Sequence, residues 1–154
     1  MGKKALWGFL VCMMAVVFMA GCGNTAKDAK TESYLTIEDD AGRTVTLAKK
    51  PERIVALSTS FLEPLHEVDA TVVGCPSSKM GIPDYYKDVE KVGAVYNINI
   101  EKVVSLQPDL VIAMKGMNDK FVANLESNNI PVIVLDMKSY DQVKHSLDIF
   151  SQIT

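Results

Sequence analysis

Three consecutive hydroxyl side chains, Ser58, Thr59 and Ser60, are placed where they could do chemistry, because they follow a short apolar run and precede a helical pattern that contains His66. A serine and a histidine could act as nucleophile and base. However, the sequence has no G-x-S-x-G elbow, phosphate-binding glycine loop or metal-ligand pair to complete an enzyme site. Hydroxyl groups also donate hydrogen bonds to ligand oxygens, or cap a helix by accepting from its first N–H groups. We therefore expect no enzyme activity; ligand binding and capping alone both stay open.

The elements around this triplet predict how it is held. Arg53–Leu57 is an apolar, β-branched run typical of a buried strand. After the triplet, the apolar residues of 61–68 recur at helical spacing, with Pro64 in the first turn, where its missing N–H costs little. A strand, a hydroxyl turn and a helix N-terminus together present N–H groups and a positive dipole end.

The same order of strand and helix continues to the end of the chain. Apolar patterning predicts further strands at Thr71–Gly74, Leu110–Ala113 and Pro131–Leu135, a return to the sheet over 88–93, and helices at Ile100–Leu106, Asn118–Asn128 and from Ser139 onward. Tyr34–Glu38 and Thr44–Leu47 predict a β-hairpin before them. The fold class expected is α/β: a three-layer αβα, Rossmann-like lobe with a mainly parallel sheet, preceded by a β-hairpin.

Ligands of such sheets bind beyond the carboxyl ends of the strands. The loops that start at Ser58, Pro76, Lys115 and Asp136 are therefore the expected functional edge. The net charge of −3 offers no basic footprint for nucleic acid. His66 has no second histidine four residues on, and we expect both His66 and His145 to be structural.

The N-terminal residues predict export from the cytoplasm. Lys3 and Lys4 precede the apolar run Ala5–Ala20, which is shorter than the roughly 20 residues that span a bilayer. We therefore predict a signal peptide over 1–21, with a retained membrane helix as the alternative. Residues 22–33 are small and polar and predict a flexible tether.

Met19-Ala20-Gly21-Cys22 resembles the bacterial lipoprotein box, whose cysteine becomes the lipidated first residue. Lipidation of Cys22 would supply enough acyl chains for stable anchoring at the extracytoplasmic face of the cell membrane. Cys12 would leave with the signal peptide, so Cys75 would remain as a lone thiol. We expect Cys75 to be a buried small hydrophobe, with a reactive thiol as the alternative.

Several motifs in unbroken order carry a family resemblance. They are Asp39–Val45 (D-x-x-G-R-x-V), Pro51–Ser58 (P-x-R-I-V-x-L-S), Val92-Gly93, Ile100–Val103 and Leu106–Ile112 (L-x-P-D-L-V-I). This series resembles the substrate-binding proteins of ABC importers for ferric siderophores, haem and cobalamin, over about Thr36–Thr154. Thr59 replaces a frequent proline, and Asp69 replaces a helix-ending glycine whose left-handed conformation aspartate tolerates.

The resemblance implies a fold of two lobes with ligand held between them. The chain resembles the N-terminal lobe alone, over 34–154. We therefore expect the sequence to be either a fragment of a longer protein or a truncated protein. The implied partners are an ABC permease and its ATPase. Glu63 falls where the family keeps a glutamate, which implies docking onto permease arginines; the alternative is a first-turn carboxylate that stabilises the helix dipole.

The resemblance also suggests roles for two further groups of residues. Lys79, Met80, Tyr85 and Tyr86 lie on the long loop over the expected cleft. Tyr and Met can ligate haem iron, tyrosine rings stack on macrocycles, and lysine pairs with propionates or acidic siderophore arms. Lys115-Gly116-Met117-Asn118 lies where cobalamin-binding relatives carry a similar turn; Gly116 permits close backbone approach, and Asn118 is equally a plain N-cap.

The expected function is a lipid-anchored substrate-binding protein that captures an iron chelate, either a ferric siderophore or haem, and delivers it to the permease. Two alternatives stay open: a cobalamin receptor of the same family, and a stand-alone half-lobe that docks without transporting ligand. The sequence does not choose among the three ligand types, because the opposite wall of the cleft is absent from it.

Overall fold

A β-hairpin opens the part of the chain that the structure, a computed structural model, describes, which is residues 33–154. Strand β1 (Leu35–Glu38) pairs antiparallel with β2 (Thr44–Leu47). Ile37, Val45 and Leu47 are buried, while the alternate strand residues Thr36, Glu38, Thr44 and Thr46 are exposed, as the period of two in strands requires. The predicted hairpin is confirmed. The predicted signal peptide, Cys22 and all of the predicted tether except Ser33 lie outside the described residues.

Within residues 33–154, the main sheet has six strands. They are β3 (Ile54–Ala56), β4 (Val72–Ser77), β5 (Glu90–Ala94), β6 (Asn97–Ile98), β7 (Leu110–Met114) and β8 (Val132–Leu135), in the spatial order β6-β5-β4-β3-β7-β8. Every neighbouring pair is parallel except β5 with β6. The chain enters at β3, adds β4 and β5 on one side, and then crosses to β7 and β8 on the other. This reversal beside β3 is a topological switch point, where doubly wound sheets bind ligands.

Helices cover both faces of the sheet. A 3-10 turn (Thr59–Phe61) leads into α1 (Leu62–Glu67), and α2 (Ile100–Ser105), α3 (Asp119–Ser127) and α4 (Tyr140–Ile153) follow. Helices α1 and α4 and the hairpin share one buried cluster, in which Phe61 meets Phe150 edge to face with ring centroids 6.0 Å apart. Helices α2 and α3 bury Val103 and Leu125 in the other cluster. The predicted three-layer αβα arrangement with a mainly parallel sheet is confirmed.

One predicted strand, β4, needs new bounds, and one strand, β6, was not predicted. Strand β4 continues to Ser77, so Pro76 lies in the sheet and does not open the following loop. The proline is accommodated because the pairing of β4 with β5 shifts register between Cys75 and Ser77, where a missing N–H is tolerated. The two-residue strand β6 was not predicted, because it is too short for any periodicity. Asp69 adopts a φ of 56° after α1, as expected of the residue that replaces a glycine.

The hairpin turn covers the free edge of β8. The main-chain N–H of Asp40 donates to Val134 O (2.9 Å), and the N–H of Val134 donates to Asp39 Oδ2 (3.1 Å). Arg43 Nη2 donates to Val132 O (2.8 Å) and to Asp39 Oδ2 (2.6 Å). Burial alone would raise the pKa of Asp39, but the Arg43 guanidinium and these N–H donors outweigh it and hold that pKa below its usual range. The motif from Asp39 to Arg43 therefore anchors the last strand of the sheet.

Candidate functional site

An open cavity of about 430 Å³ lies at the carboxyl ends of the strands on either side of the switch point. The lining residues lie at the ends of strands: the turn after β3 supplies Ser60, the turn between β5 and β6 supplies Tyr96, and the end of β7 with the loops after β7 and β8 supplies the rest. The lining residues are Ser60, Tyr96, Met114, Lys115, Gly116, Met117, Met137 and Lys138. The sheet edge expected to bind ligand is thus the one that carries this cavity.

The loop after β7 is shaped by Asn118, whose side chain is fully buried. Its Oδ1 accepts from the N–H of Met114 (2.8 Å), and its Nδ2 donates to Val95 O (2.8 Å). Gly116 has a φ of 81°, a backbone conformation that favours glycine, and its N–H donates to both carboxylate oxygens of Asp119 (3.1 Å each). Asn118 occupies the N-cap position of α3 but makes no side-chain cap. It instead ties this loop to the turn that carries Tyr96.

Two lysines stand at the rim of the cavity with different partners. Lys115 Nζ donates to the main-chain oxygen of Asp40, a neutral acceptor. Lys138 Nζ lies 3.0 Å from Oδ2 of Asp136, a carboxylate in a residue that is only 5% exposed. Burial acts to raise the pKa of Asp136, but the hydrogen bond and charge of Lys138, together with the main-chain N–H groups of Met137 and Lys138, outweigh burial, so the pKa lies below its usual range. The rim therefore carries two ammonium groups above an apolar lining, and of these only that of Lys138 is paired with a carboxylate among the described residues.

The hydroxyl triplet divides between two roles. Ser58 is buried, and its Oγ accepts from the N–H of Ser60 (3.4 Å), so it caps the 3-10 turn. Thr59 is half-buried. Only Ser60 of the three lines the cavity. The capping interpretation is confirmed for Ser58. His66, the candidate base of the enzyme alternative, is stacked on the ring of Tyr85.

The segment after β4 packs against α1. The rings of His66 and Tyr85 are stacked, with centroids 3.8 Å apart and an interplanar angle of 13°. Tyr86 meets the His66 ring edge-on (6.2 Å), and its hydroxyl is buried without a partner among the described residues. Lys91 Nζ donates to Tyr86 O (2.8 Å) and Lys87 O (3.1 Å), which closes the base of the segment. Burial raises the pKa of Tyr86 to about 12.

The cavity does not include the residues predicted on that segment. Lys79 and Met80 are exposed, Met80 to 98%, and neither they nor Tyr85 or Tyr86 line it. Ligand contact by these four residues stays a prediction. The cavity instead adds residues that no motif indicated: Tyr96, Met114, Met137 and Lys138. The only sequence signal for Met137 and Lys138 was their place in the loop after β8, which the parallel-sheet rule had already marked.

A comparison with protein families identifies the fold. Residues 54–154 match the model of the periplasmic binding protein family. This chain belongs to that family. The periplasmic binding protein fold accounts for the position of the cavity, and the sequence resemblance to the ABC-importer class is confirmed.

Curated relatives of this periplasmic binding protein come from several bacteria. An uncharacterized ABC transporter substrate-binding lipoprotein of Bacillus subtilis, YvrC, is 36% identical over 99% of this chain and 52% of its own length. The Fe(3+)-citrate-binding protein YfmC of Bacillus subtilis is 32% identical over 67% of this chain and 36% of its own. The vitamin B12-binding protein of Salmonella paratyphi A is 33% identical over 62% and 36%. The chain spans about half, or less, of the length of these relatives.

Solved structures share the fold. Staphylococcus aureus IsdE complexed with heme matches with a TM-score of 0.55 and 28% identity, over 61% of this chain and 36% of that one. The molybdate-binding protein MolA of Haemophilus influenzae, bound to molybdate, matches with a TM-score of 0.68 and 22% identity, over 77% and 46%. At that identity, MolA supports the fold alone.

Other candidates in this periplasmic binding protein lie outside the cavity. Cys75 is a buried free thiol, as expected, and burial raises its pKa. Glu63 is exposed in the first turn of α1, and His145 Nε2 lies 3.8 Å from Asp40 Oδ1. Within 33–154, no group of three His, Cys, Asp or Glu residues could hold a metal ion. Of the helices described, none has the length and apolar character needed to cross a membrane.

Proposed function

We propose that this periplasmic binding protein is a lipid-anchored substrate-binding protein of an ABC importer, which captures an iron chelate, a ferric siderophore or haem, and hands it to the permease. The observation that carries the proposal is the cavity at the switch point, with Lys115 and Lys138 at its rim. We expect this cavity to be the contribution of the lobe to a ligand site, and we propose that binding involves no bond-making step. A relative named for Fe(3+)-citrate supports an iron chelate as the ligand, and a relative named for vitamin B12 supports cobalamin as the alternative.

The chemistry of the lining favours anionic chelates. Tyr96 is 65% exposed, and Met114, Met117 and Met137 provide flexible apolar surface that adapts to a ligand face. Ammonium groups attract carboxylate or other anionic oxygens, which haem propionates and citrate-type siderophores carry. Cyanocobalamin has apolar faces but no net charge, so it would supply no anionic group to Lys115. It is therefore the second candidate.

Equilibrium dialysis of the protein purified at its natural length from its own membranes tests the proposal. The probes are haemin, ferric citrate and cyanocobalamin, each at several salt concentrations. We expect an anionic chelate to bind more tightly than cyanocobalamin, and its affinity to fall as salt rises, because screening weakens attraction between exposed charges. Tighter binding of cyanocobalamin would establish the second candidate. Absence of binding by every probe would contradict the proposed function and favour a docking module.

We also propose that Glu63 docks onto the permease, since it is exposed in the first turn of α1 and free of a described ion pair. The test is uptake of the bound chelate by cells that carry Glu63→Arg. Glu101→Arg is the matched control, because Glu101 is also an exposed first-turn carboxylate, on α2. We expect Glu63→Arg to abolish uptake while ligand binding persists, and Glu101→Arg to leave both intact. Normal uptake with Glu63→Arg would rule out docking through this residue.

We propose that Cys22 carries the membrane anchor. The intact mass of the protein extracted from membranes should exceed that of the polypeptide that begins at Cys22 by the mass of its acyl chains. A Cys22→Ser variant should lack this increment and appear in the soluble fraction. An unmodified native protein would overturn the assignment.

A further inference from the structure

We infer that Asp136 competes with an anionic ligand for the ammonium group of Lys138 and thereby sets the affinity of the cavity. This inference rests on the proposed function, because it requires an anion to enter the cavity. It concerns Asp136, which does not line the cavity.

The two rim lysines have different partners in the structure. Lys115 Nζ contacts a neutral main-chain oxygen, so its charge is available to a ligand. Lys138 Nζ is paired with Asp136 Oδ2 at 3.0 Å, so its charge is already compensated. An incoming anion that uses Lys138 must therefore displace or share a carboxylate that is already in place.

Only one member of this pair is free to move. Asp136 is held through its main chain: its N–H donates to Asp40 Oδ2 (2.6 Å), and its oxygen accepts from Ser146 Oγ (3.3 Å). The side chain of Asp136 is 7% exposed, whereas that of Lys138 is 68% exposed. The lysine can therefore swing toward the cavity, and Asp136 cannot follow it.

Departure of Lys138 would leave the Asp136 carboxylate without a described cation beside it. Asp136 Oδ1 is buried and has no hydrogen-bond partner among the described residues, so Lys138 is the only described cation on this side chain. A buried charge that loses its partner is costly. The ligand meets this cost in the wild-type protein, and an asparagine at this position would remove it while retaining the main-chain contacts.

The experiment measures dissociation constants of haemin and ferric citrate for Asp136→Asn in the complete protein. If Lys138 is free for only about a tenth of the time, the variant should bind an anionic chelate about tenfold more tightly. Asp141→Asn changes the net charge equally at an exposed position of α4 and should leave affinity unchanged. Cyanocobalamin should bind wild type and Asp136→Asn alike.

A second background isolates the pair. In Lys138→Met, the further change Asp136→Asn should no longer tighten binding, because no ammonium group remains to be released. Tighter binding is a result that structural damage would not produce. If the wild type binds an anionic chelate and Asp136→Asn leaves its affinity unchanged or weaker, the inference is wrong and the proposed function stands. If the wild type binds no anionic chelate, the anionic form of the proposed function fails and the inference fails with it.

Discussion

Two regions at the carboxyl edge of the sheet carry the same side-chain types and differ in where the fold places them. The segment 78–89 holds two lysines, one methionine and two tyrosines, and the cavity is lined by two lysines, three methionines and one tyrosine, Tyr96. The cavity loops converge because most of them follow β3 and β7, which flank the switch point, and β8, the strand beside β7. The segment after β4 instead folds back onto α1 through the stack of Tyr85 on His66.

The difference shows that residue chemistry alone does not select a binding loop. The sequence signal is the same for Tyr85, whose ring is stacked on His66, and for Tyr96, which is exposed beside the cavity. What separates them is the strand order, which sets the loops that share an edge. The comparison predicts that changes in the cavity loops alter ligand binding, whereas changes in the segment alter stability.

The largest expected effect is a loss of stability when the contacts of Asp39 with Arg43 and with β8, beside the cavity, are removed. Asp39→Ala should lower the free energy of unfolding by roughly 3–5 kcal/mol, because the main-chain N–H groups of Ala41 and Arg43 lose their buried acceptor and Arg43 keeps only its ion pair with Glu126. The N–H of Val134 also loses its acceptor. Urea denaturation measures the loss, with Asp141→Ala at an exposed position as the control. A loss no larger than the control would mean that the hairpin turn does not anchor the sheet edge.

Asn118→Ala should have the next largest effect, because it removes the two hydrogen bonds that join the Met114 loop to the Tyr96 turn. We expect roughly 2–3 kcal/mol less stability, the cost of leaving buried polar groups unpaired. Asn118→Ala should also weaken ligand binding. Lys91→Met, a change at the base of the segment 78–89, should leave ligand binding unchanged. If both variants weakened ligand binding equally, the two regions would not differ in their effect on binding, contrary to the prediction.

Substitution of single lysines tests the comparison directly. Lys115→Met should weaken binding of an anionic chelate about tenfold, the equivalent of ~1.4 kcal/mol, because it removes a rim charge. Lys79→Met changes the net charge equally on the other segment and should leave the dissociation constant as it is. Equilibrium dialysis measures both. The reverse result would place the ligand over residues 78–89.

The smallest effect is expected at alkaline pH. Tyr86 ionises in the folded protein only at a pKa of about 12, whereas an unfolded tyrosine ionises near ~10. Between these values the unfolded state releases the proton first, so stability should fall as pH rises through this window. Tyr86→Phe should flatten the fall, measured by urea denaturation at stepped pH, and should not weaken ligand binding. Tyr140→Phe, at an exposed ring, should keep the wild-type slope.

Sequence patterns predicted most elements, because their signals are local. Alternation in 35–38 and 44–47 predicted the hairpin, and Ser139 was expected to cap the last helix, where it forms a capping box with Gln142. The register shift that admits Pro76 into β4 depends on pairing with β5, a contact with a distant segment, and was missed. Among the candidate residues, Ser60, Lys115, Gly116 and Met117 reach the cavity.

The sequence by itself determined the fold class, the family and the edge of the sheet that carries the cavity, since periodicity, caps and motif order are properties of neighbouring residues. Only the tertiary structure decided which loops meet at that edge. It also decided that Asn118 bonds to Val95 and that Lys138 pairs with Asp136 beneath the rim. These contacts depend on strand order and on which side chains are buried, and both of these arise when distant segments pack together.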